Sequence, residues 1–390
     1  MTRIVTLVLV DAEGTLLGSL PPFEAELPFW AEMSDVVRLT RVHHGVDLNV
    51  LRLLTTELSL PHGGAVTYLA QVDEQVTISL APVDPDVRVL ALRTEPLRAT
   101  YAEIGGPARS LQWASDLLGP LLAHQQRTWN LSAIWRLESR SGVTWLKQVP
   151  DFYAHESAAL SWLSREVPDL APRVIAVDGK GRQLLADVEG DDLYDADATT
   201  RVHIARLAHQ FQSVAVDACG DLVSLGIPDR RGTALTNWIR STLSSWTDGH
   251  HALQLLDSLD ERMDEVGTCG VPATLVHGDG HPGNVRSTGD TSVFLDWGDS
   301  FVGHPGFDAI GLADGLSVAD KRVVLDAWAD LWENQVPGSD PRRALALLCP
   351  VAALRSAAVF ADFVARIEPT ERAYHRADVP LMLDAAVASA

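Results

Sequence analysis

Between residues 275 and 300 the chain reads LVHGDGHPGNVRSTGDTSVFLDWGDS, gathering two His, four Asp and one Asn between two apolar runs. Asn284 follows Asp279 by five residues and Asp296 follows Asn284 by twelve, all just after the strand-like ATLV. Carboxylate and amide oxygens are the ligands that a hard Mg²⁺ ion prefers, whereas imidazole nitrogen is not. A further carboxylate beside such an ion can accept or orient the proton of a hydroxyl that attacks a phosphoryl group. VRSTGDTSVFL, between Asn284 and Asp296, reads as a short hairpin. A hairpin returns the chain beside its start, so two ligands that far apart can face one ion. The loop alone also permits a metal-dependent hydrolase, with His277, Asp279, His281 and Asp296 as a mixed zinc-type ligand set.

Phosphoryl transfer needs a cation on the phosphates and something to orient it. The chain has only three Lys, at 147, 180 and 321, so a Lys inside the strand-like TWLKQVP stands out. Alternation along that strand puts Lys147 and Trp145 on one face. Glu156 lies nine residues on, in the helical YAHESAALSWLSREV, and could reach back to pair with Lys147. Taken singly, a strand Lys is as simply a solvated edge residue and a helical Glu a surface residue.

HGDGHPGN (277–284) followed by DWGD (296–299) resembles the signature of the aminoglycoside phosphotransferase and choline kinase family of small-molecule kinases. The family pattern His-Gly-Asp-x-His-x-x-Asn is complete here. The resemblance implies the bilobal architecture of protein kinases, ATP or GTP as phosphoryl donor, and Mg²⁺. It implies Asp279 as the catalytic carboxylate, Asn284 and Asp296 as Mg²⁺ ligands, Lys147 as the phosphate-contacting cation and Glu156 as its helix partner. ADVEG (186–190) matches the hinge, so backbone groups around Asp187, Val188 and Glu189 are expected to hold the nucleobase edge. TWNLSAIWRL (128–137) stands where the nucleotide-covering loop belongs. It lacks the Gly-rich pattern of protein kinases, and Asn130 and Ser132 are expected to meet phosphate instead. Asp308, in GHPGFDAIGLA (303–313), takes the place of a structural carboxylate, and His277 and His281 are expected to hold the loop by hydrogen bonds. His304 reads as a turn residue. The motifs cover about residues 105 to 330. A protein kinase proper would need an HRD loop and a closing Ala-Pro-Glu, and the sequence has neither. The hydrolase reading leaves Lys147, Glu156 and ADVEG without a role, and a non-enzymatic binding module would predict a damaged set where every part is present.

The net charge of −21 argues against nucleic acid or an anionic membrane as partner and favours a small hydroxylated acceptor, a cationic one included. An acidic surface also aids solubility. An amino sugar, an aminoglycoside or a related sugar or antibiotic fits. Arg355, Glu368, Glu371 and Asp378 are the candidate acceptor contacts in the C-terminal stretch. Three widely spaced Cys carry no metal-ligand spacing and suit a reducing cytoplasm. MTRIVTLVLVDAEG reads as a first strand and not a signal peptide, and no run of about 18 apolar residues suggests a membrane span.

The elements that must position these residues fall into three parts. Residues 1–97 read as a small α+β cap, with strands in IVTLVLVD, TLLGSL, DLNVLRLLTTEL, AVTYLAQV and QVTISLAPV, a helix stopping at Gly45, and turns at the Gly pair 63–64 and at PVDPD. The cap faintly resembles a Nudix-like unit without its acidic metal motif, and an extra N-terminal cap is similar to that of maltokinase-like and glucosamine-kinase-like enzymes. Residues 98–190 read as a kinase-like β-rich lobe with a hinge, opened by a helix over about 108–126, and residues 191–390 as a helical lobe with the catalytic loop and acceptor site. The expected fold is thus α+β, bilobal and protein-kinase-like, with a β-rich first lobe and an α-helical second lobe behind the cap.

Overall fold

A computed structural model describes residues 2–247 and 251–390. They form two compact units, one of residues 1–152, 175–186 and 363–377, the other of residues 153–174, 187–362 and 378–390.

The first unit begins with β1 (Arg3–Val10), β2 (Leu16–Ser19), β3 (Phe23–Ala25), α1 (Ser34–His44), β4 (Asn49–Thr56) and β5 (Gly64–Gln71). The sheet runs β2-β1-β5-β4, with β3 also on β1, and β1 and β5 are parallel. Val5, Leu7 and Leu9 pack on one face while Val8 and Val10 pack on the other. Burial on both faces explains why β1 is a nearly unbroken apolar run. As expected, α1 stops where Gly45 turns left-handed at φ 65°, its N–H meeting the carbonyl of Arg41. Two expectations fail here. QVTISLAPV forms no strand; Val76, Ile78 and Leu80 lie on the core as an irregular segment, with an isolated bridge from Ala81 to Ser19. PVDPD is not only a turn, because Asp84 caps α2 (Pro85–Leu92), accepting the N–H groups of Asp86 and Val87 with Pro85 opening the helix.

Next comes α3 (Gly106–Leu118), which ends earlier than the periodicity of 108–126 suggests. Gly119, at φ 77°, and Pro120 stop it, and the rest becomes β6 (Leu121–Thr128). With β7 (Ala133–Ser139) and β8 (Gly142–Gln148) it opens the second sheet. α4 (Glu156–Glu166), in the second unit, precedes β9 (Val174–Val177) and β10 (Arg182–Ala186), which complete the order β6-β7-β8-β10-β9. Trp135, Leu137, Leu146 and Leu184 form one face of this sheet, packed with Ala114 of α3.

The second unit is helical apart from short strands. β11 (Asp191–Asp192) leads to α5 (Ala198–Ala215), α6 (Cys219–Ser224) and α7 (Gly232–Leu243). HALQLLDSLDERMDEV breaks at Ser258 into α8 (Leu253–Asp257) and α9 (Leu259–Thr268). β12 (Thr274–Val276), β13 (Val285–Ser287), β14 (Ser292–Phe294) and β15 (Phe301–Gly303) carry the loop rich in Asp and His. α10 (Gly306–Ala313), α11 (Val318–Gln335), α12 (Pro341–Arg366) and α13 (Asp378–Ala388) follow. By length and composition α12 could cross a membrane, though Arg355 interrupts its apolar run, and Leu348, Val351, Leu354 and Ala358 bury it in the core.

Candidate active site

The hairpin inferred from spacing is present. β13 and β14 pair antiparallel from Val285 opposite Phe294 to Ser287 opposite Ser292. The N–H of Leu295 then bonds the carbonyl of Asn284 at 2.8 Å, so the closed end sets Asn284 close to the start of Asp296. β12 and β15 pair on the other side, Val276 opposite Phe301, which fixes both ends of the loop. Asp296 is the only non-glycine residue with positive φ among the described residues, at 59°. Asp tolerates this region better than bulky residues do, and such strain concentrates at functional sites.

Asp279 is exposed, and its carboxylate is held by its neighbours. Asn284 donates its amide nitrogen to both the backbone carbonyl and Oδ2 of Asp279, each at 2.9 Å. That leaves the amide oxygen of Asn284 for a metal. His281 accepts the Gly283 N–H at Nδ1 (3.0 Å) and places Nε2 3.7 Å from Asp279 Oδ2. Gly278 permits the turn before Asp279: its φ is 86°, and a Cβ there would come within 2.0 Å of the Asp299 carbonyl.

Behind the loop stands Asp308. Its buried carboxylate accepts the N–H of His277, the N–H of Gly278 and the side-chain amide of Gln212, each at 2.9 Å. Burial pushes its pKa up, opposed by these donors. His277 accepts the Asp279 N–H at Nδ1 (3.4 Å), so the Nε2 proton points to the Leu295 carbonyl at 2.8 Å. Both ring nitrogens are committed to the loop, and the ring rests on Trp297 at 4.5 Å. The zinc-type alternative therefore fails on geometry, since His277 has no nitrogen to give. Among the described residues no group of three or more His, Cys, Asp or Glu is placed to hold a metal ion. An Asn and Asp pair lies outside that pattern and suits Mg²⁺, which completes its shell with waters and phosphate oxygens.

Two contributors to this loop went without a role in the sequence. Asp299 accepts the Tyr153 hydroxyl at 2.8 Å. Its pKa rises to about 6, first through burial and then through the charge of Asp279. The second Asp of DWGD, three residues after Asp296, was the available signal. Tyr153 had none, because its hydroxyl meets Asp299 only through the fold. Arg355, expected at the acceptor, instead supports the loop: its buried guanidinium donates to the carbonyls of Gly278 (2.8 Å) and Asp299 (3.3 Å) and lies over the Phe301 ring. His304 is a turn residue, accepting the Gly306 N–H at 3.0 Å, and burial lowers its pKa to about 3.

Glu156 opens α4 in the second unit, is 1 % exposed, and accepts the Trp297 N–H at 3.1 Å, tying that helix to the residue after Asp296. In the first unit Lys147 is buried on β8 opposite Gln183 of β10. Asp187, Val188 and Glu189 follow β10 as extended chain where the first unit gives way to the second. Asn130 and Ser132, expected at phosphate, are both buried in the first unit. Asn130 bonds Glu371 and His375, and Ser132 accepts the Trp129 indole N–H at 3.1 Å. Glu368 and Glu371 lie in the same unit, Glu368 paired with Arg98 at 2.9 Å. Asp378 opens α13 in the second unit, its pKa raised by burial.

The model of the phosphotransferase enzyme family matches residues 123–347, more than half of the chain. No curated protein matches it in sequence. Among solved structures it is similar to a macrolide 2′-phosphotransferase of Brachybacterium faecium, at 18 % identity and a TM-score of 0.50, over 70 % of this chain and 97 % of that one. A choline/ethanolamine kinase family protein of Mesorhizobium loti gives 14 % identity and a TM-score of 0.52, over 71 % and 90 %. An aminoglycoside 2′-phosphotransferase-IIIa gives 14 % identity and a TM-score of 0.50, over 72 % and 98 %. The fold they share is the kinase-like α+β architecture expected from the sequence.

Proposed function

The chain belongs to the phosphotransferase enzyme family, and from that premise we propose that it moves the γ-phosphoryl group of ATP or GTP to a hydroxyl of an amino sugar, an aminoglycoside or a related sugar or antibiotic. The observation that carries this reading is the loop in which Asn284 grips the exposed Asp279 carboxylate by its amide nitrogen. Asp279 would orient the attacking hydroxyl and accept its proton. Asn284 and Asp296 would hold Mg²⁺, which supplies charge neutralisation to the phosphate oxygens. Lys147 would meet the α- and β-phosphates with Glu156 orienting it, and the backbone of 187–189 would hold the nucleobase edge. Much of the acceleration would come from positioning, since Asp308 and Arg355 already fix the loop that bears Asp279. Residues 1–97 would act as a cap, 98–190 as the nucleotide lobe and 191–390 as the catalytic and acceptor lobe. The formal charge of −21 supports a cationic acceptor. A cytoplasmic setting, where nucleotide triphosphates are plentiful, belongs to the same proposal.

The test is Mg²⁺-dependent ADP release from ATP, and GDP release from GTP, across amino sugars, maltose, glucose, aminoglycosides and macrolides, with Asp279→Asn in parallel. Acceptor-dependent turnover that the variant loses is the expected result. Failure of the protein to bind either nucleotide with Mg²⁺ would overturn the reading.

A further inference from the structure

A cavity of about 450 Å³ lies within the first unit, lined by residues 96–102, 129–130, 150–152, 366–368 and 371. That volume is in the range of about 300–1,000 Å³ typical of small-molecule sites. No residue of the Asp279 loop lines it. We propose that this cavity binds a small organic ammonium ion, with Glu371 as its counter-ion and the rings of Tyr101, Trp129 and Phe152 as its walls.

Glu371 is 3 % exposed. Its Oε1 accepts the Leu53 N–H at 2.7 Å, and its Oε2 accepts the Asn130 side-chain amide at 3.3 Å. With its nitrogen on Glu371, Asn130 turns its Oδ1 to His375. Burial lowers the pKa of His375 to about 3, so its ring is neutral, and its Nε2 proton goes to Asn130 Oδ1 at 2.8 Å. Both protein partners of Glu371 therefore donate, an arrangement that suits a carboxylate. Yet among the described residues no cation lies within ion-pair distance of it. Arg98 and Arg52 go to Glu368, at 2.9 and 3.8 Å. Left without a counter-ion, Glu371 is pushed up to about 8, chiefly by burial and next by the charge of Glu368, with Arg52 opposing. A carboxyl with donors arranged for its ionised form and no cation beside it lacks one component, and the open cavity is where that component fits.

The walls suit an ammonium. The Trp129 ring is held by the rings of Phe29, Tyr374 and His375 at 5.9, 5.6 and 5.4 Å. Tyr101 also lines the space and donates its hydroxyl to the Trp129 carbonyl at 2.8 Å. Phe152 already takes a cation on its face, the Arg366 guanidinium at 5.8 Å from its centre. Three carboxyl groups, of Asp151, Glu368 and Glu371, line the space against two guanidinia, of Arg98 and Arg366.

The test is calorimetric titration of the full chain without nucleotide, using pairs that differ only by amine for hydroxyl: glucosamine with glucose, and butane-1,4-diamine with butane-1,4-diol. We expect each amine to bind at least about tenfold tighter than its alcohol. At pH 7, buffers of different ionisation heat should register release of about one proton per amine bound, as Glu371 ionises against its new partner. Glu371→Gln should remove both the preference and the proton release. Phe152→Leu, which leaves every charge in place, should weaken amine binding about threefold or more. If Glu371→Gln does not fold, the wild-type proton release decides. Equal affinity for amine and alcohol, absence of binding up to about 10 mM, or proton uptake in place of release would overturn the proposal. Because nucleotide is absent, these outcomes are independent of the phosphoryl-transfer reading. Adding Mg²⁺ and ATP then tells an acceptor, which is phosphorylated, from an effector, which is not, and the site stands in either case.

Discussion

Asp308 and Glu371 are both buried carboxyls with raised pKa, yet they do opposite things. Asp308 accepts three N–H groups at 2.9 Å, two of them from the backbone of the loop it supports, and the space beside it is only about 10 Å³. Glu371 has two donors and faces about 450 Å³. The first commits three of its roughly four acceptor sites to holding the chain in place. The second has capacity left and room in which to use it. Burial and a shifted pKa alone do not tell a structural carboxyl from a binding one; the count of remaining lone pairs and the adjoining space do.

Asp279 follows directly on the two residues whose N–H groups Asp308 accepts. Asp279→Asn should lower kcat by about 10³-fold while leaving the circular dichroism and melting unchanged. Turnover within tenfold of wild type would mean that the well-held loop is not the reacting one. Asp308→Ala should act through the fold, leaving three buried N–H groups without an acceptor. A loss of about 3–5 kcal/mol in urea unfolding is expected, against about 1–3 kcal/mol for Glu371→Ala. If the two losses are equal, the distinction between them fails. Arg355→Met should be milder, because other contacts still hold the loop: a fall of about 10–100-fold in kcat/KM with a small drop in Tm.

Proton linkage gives the smallest effect and the finest test. The Glu371 pKa rises from an ordinary 4.5 to about 8 on folding, so the folded chain holds that proton more tightly than the unfolded one. Its contribution to stability is full below about pH 4.5 and is lost as pH rises through 8. Glu371→Gln should flatten the slope of unfolding free energy against pH in that window, measured by urea titrations at several pH values. A saturating amine should flatten it too, by supplying the counter-ion.

The loop of the second unit was legible because its signals are local. HGDGHPGN and DWGD sit within 23 residues of chain, and the hairpin between them is a short-range structure. The helix α4 was legible from periodicity, and the end of α1 from Gly45. What failed depended on partners far along the chain. QVTISLAPV has strand composition but bonds no neighbouring strand except at Ala81, and residues 121–126 continue a helical pattern that Gly119 and Pro120 interrupt. Asn130 was expected at phosphate from its place in TWNLSAIWRL, and Arg355 at the acceptor from its place before the C-terminal carboxylates. Their partners, Glu371 and the Gly278 carbonyl, lie 241 and 77 residues away and cannot be read from spacing.

The hairpin between Asn284 and Asp296 has a consequence for engineering. The bond from Leu295 N–H to the Asn284 carbonyl closes its base, while Thr288 to Thr291 at its tip are exposed and Gly289 turns with φ 95°. Position at the base is set by the ladder and not by the number of residues beyond it. The tip is therefore the place to graft a peptide tag or a fluorescent label, which would report from the edge of the candidate site without altering the spacing of the two residues at its base.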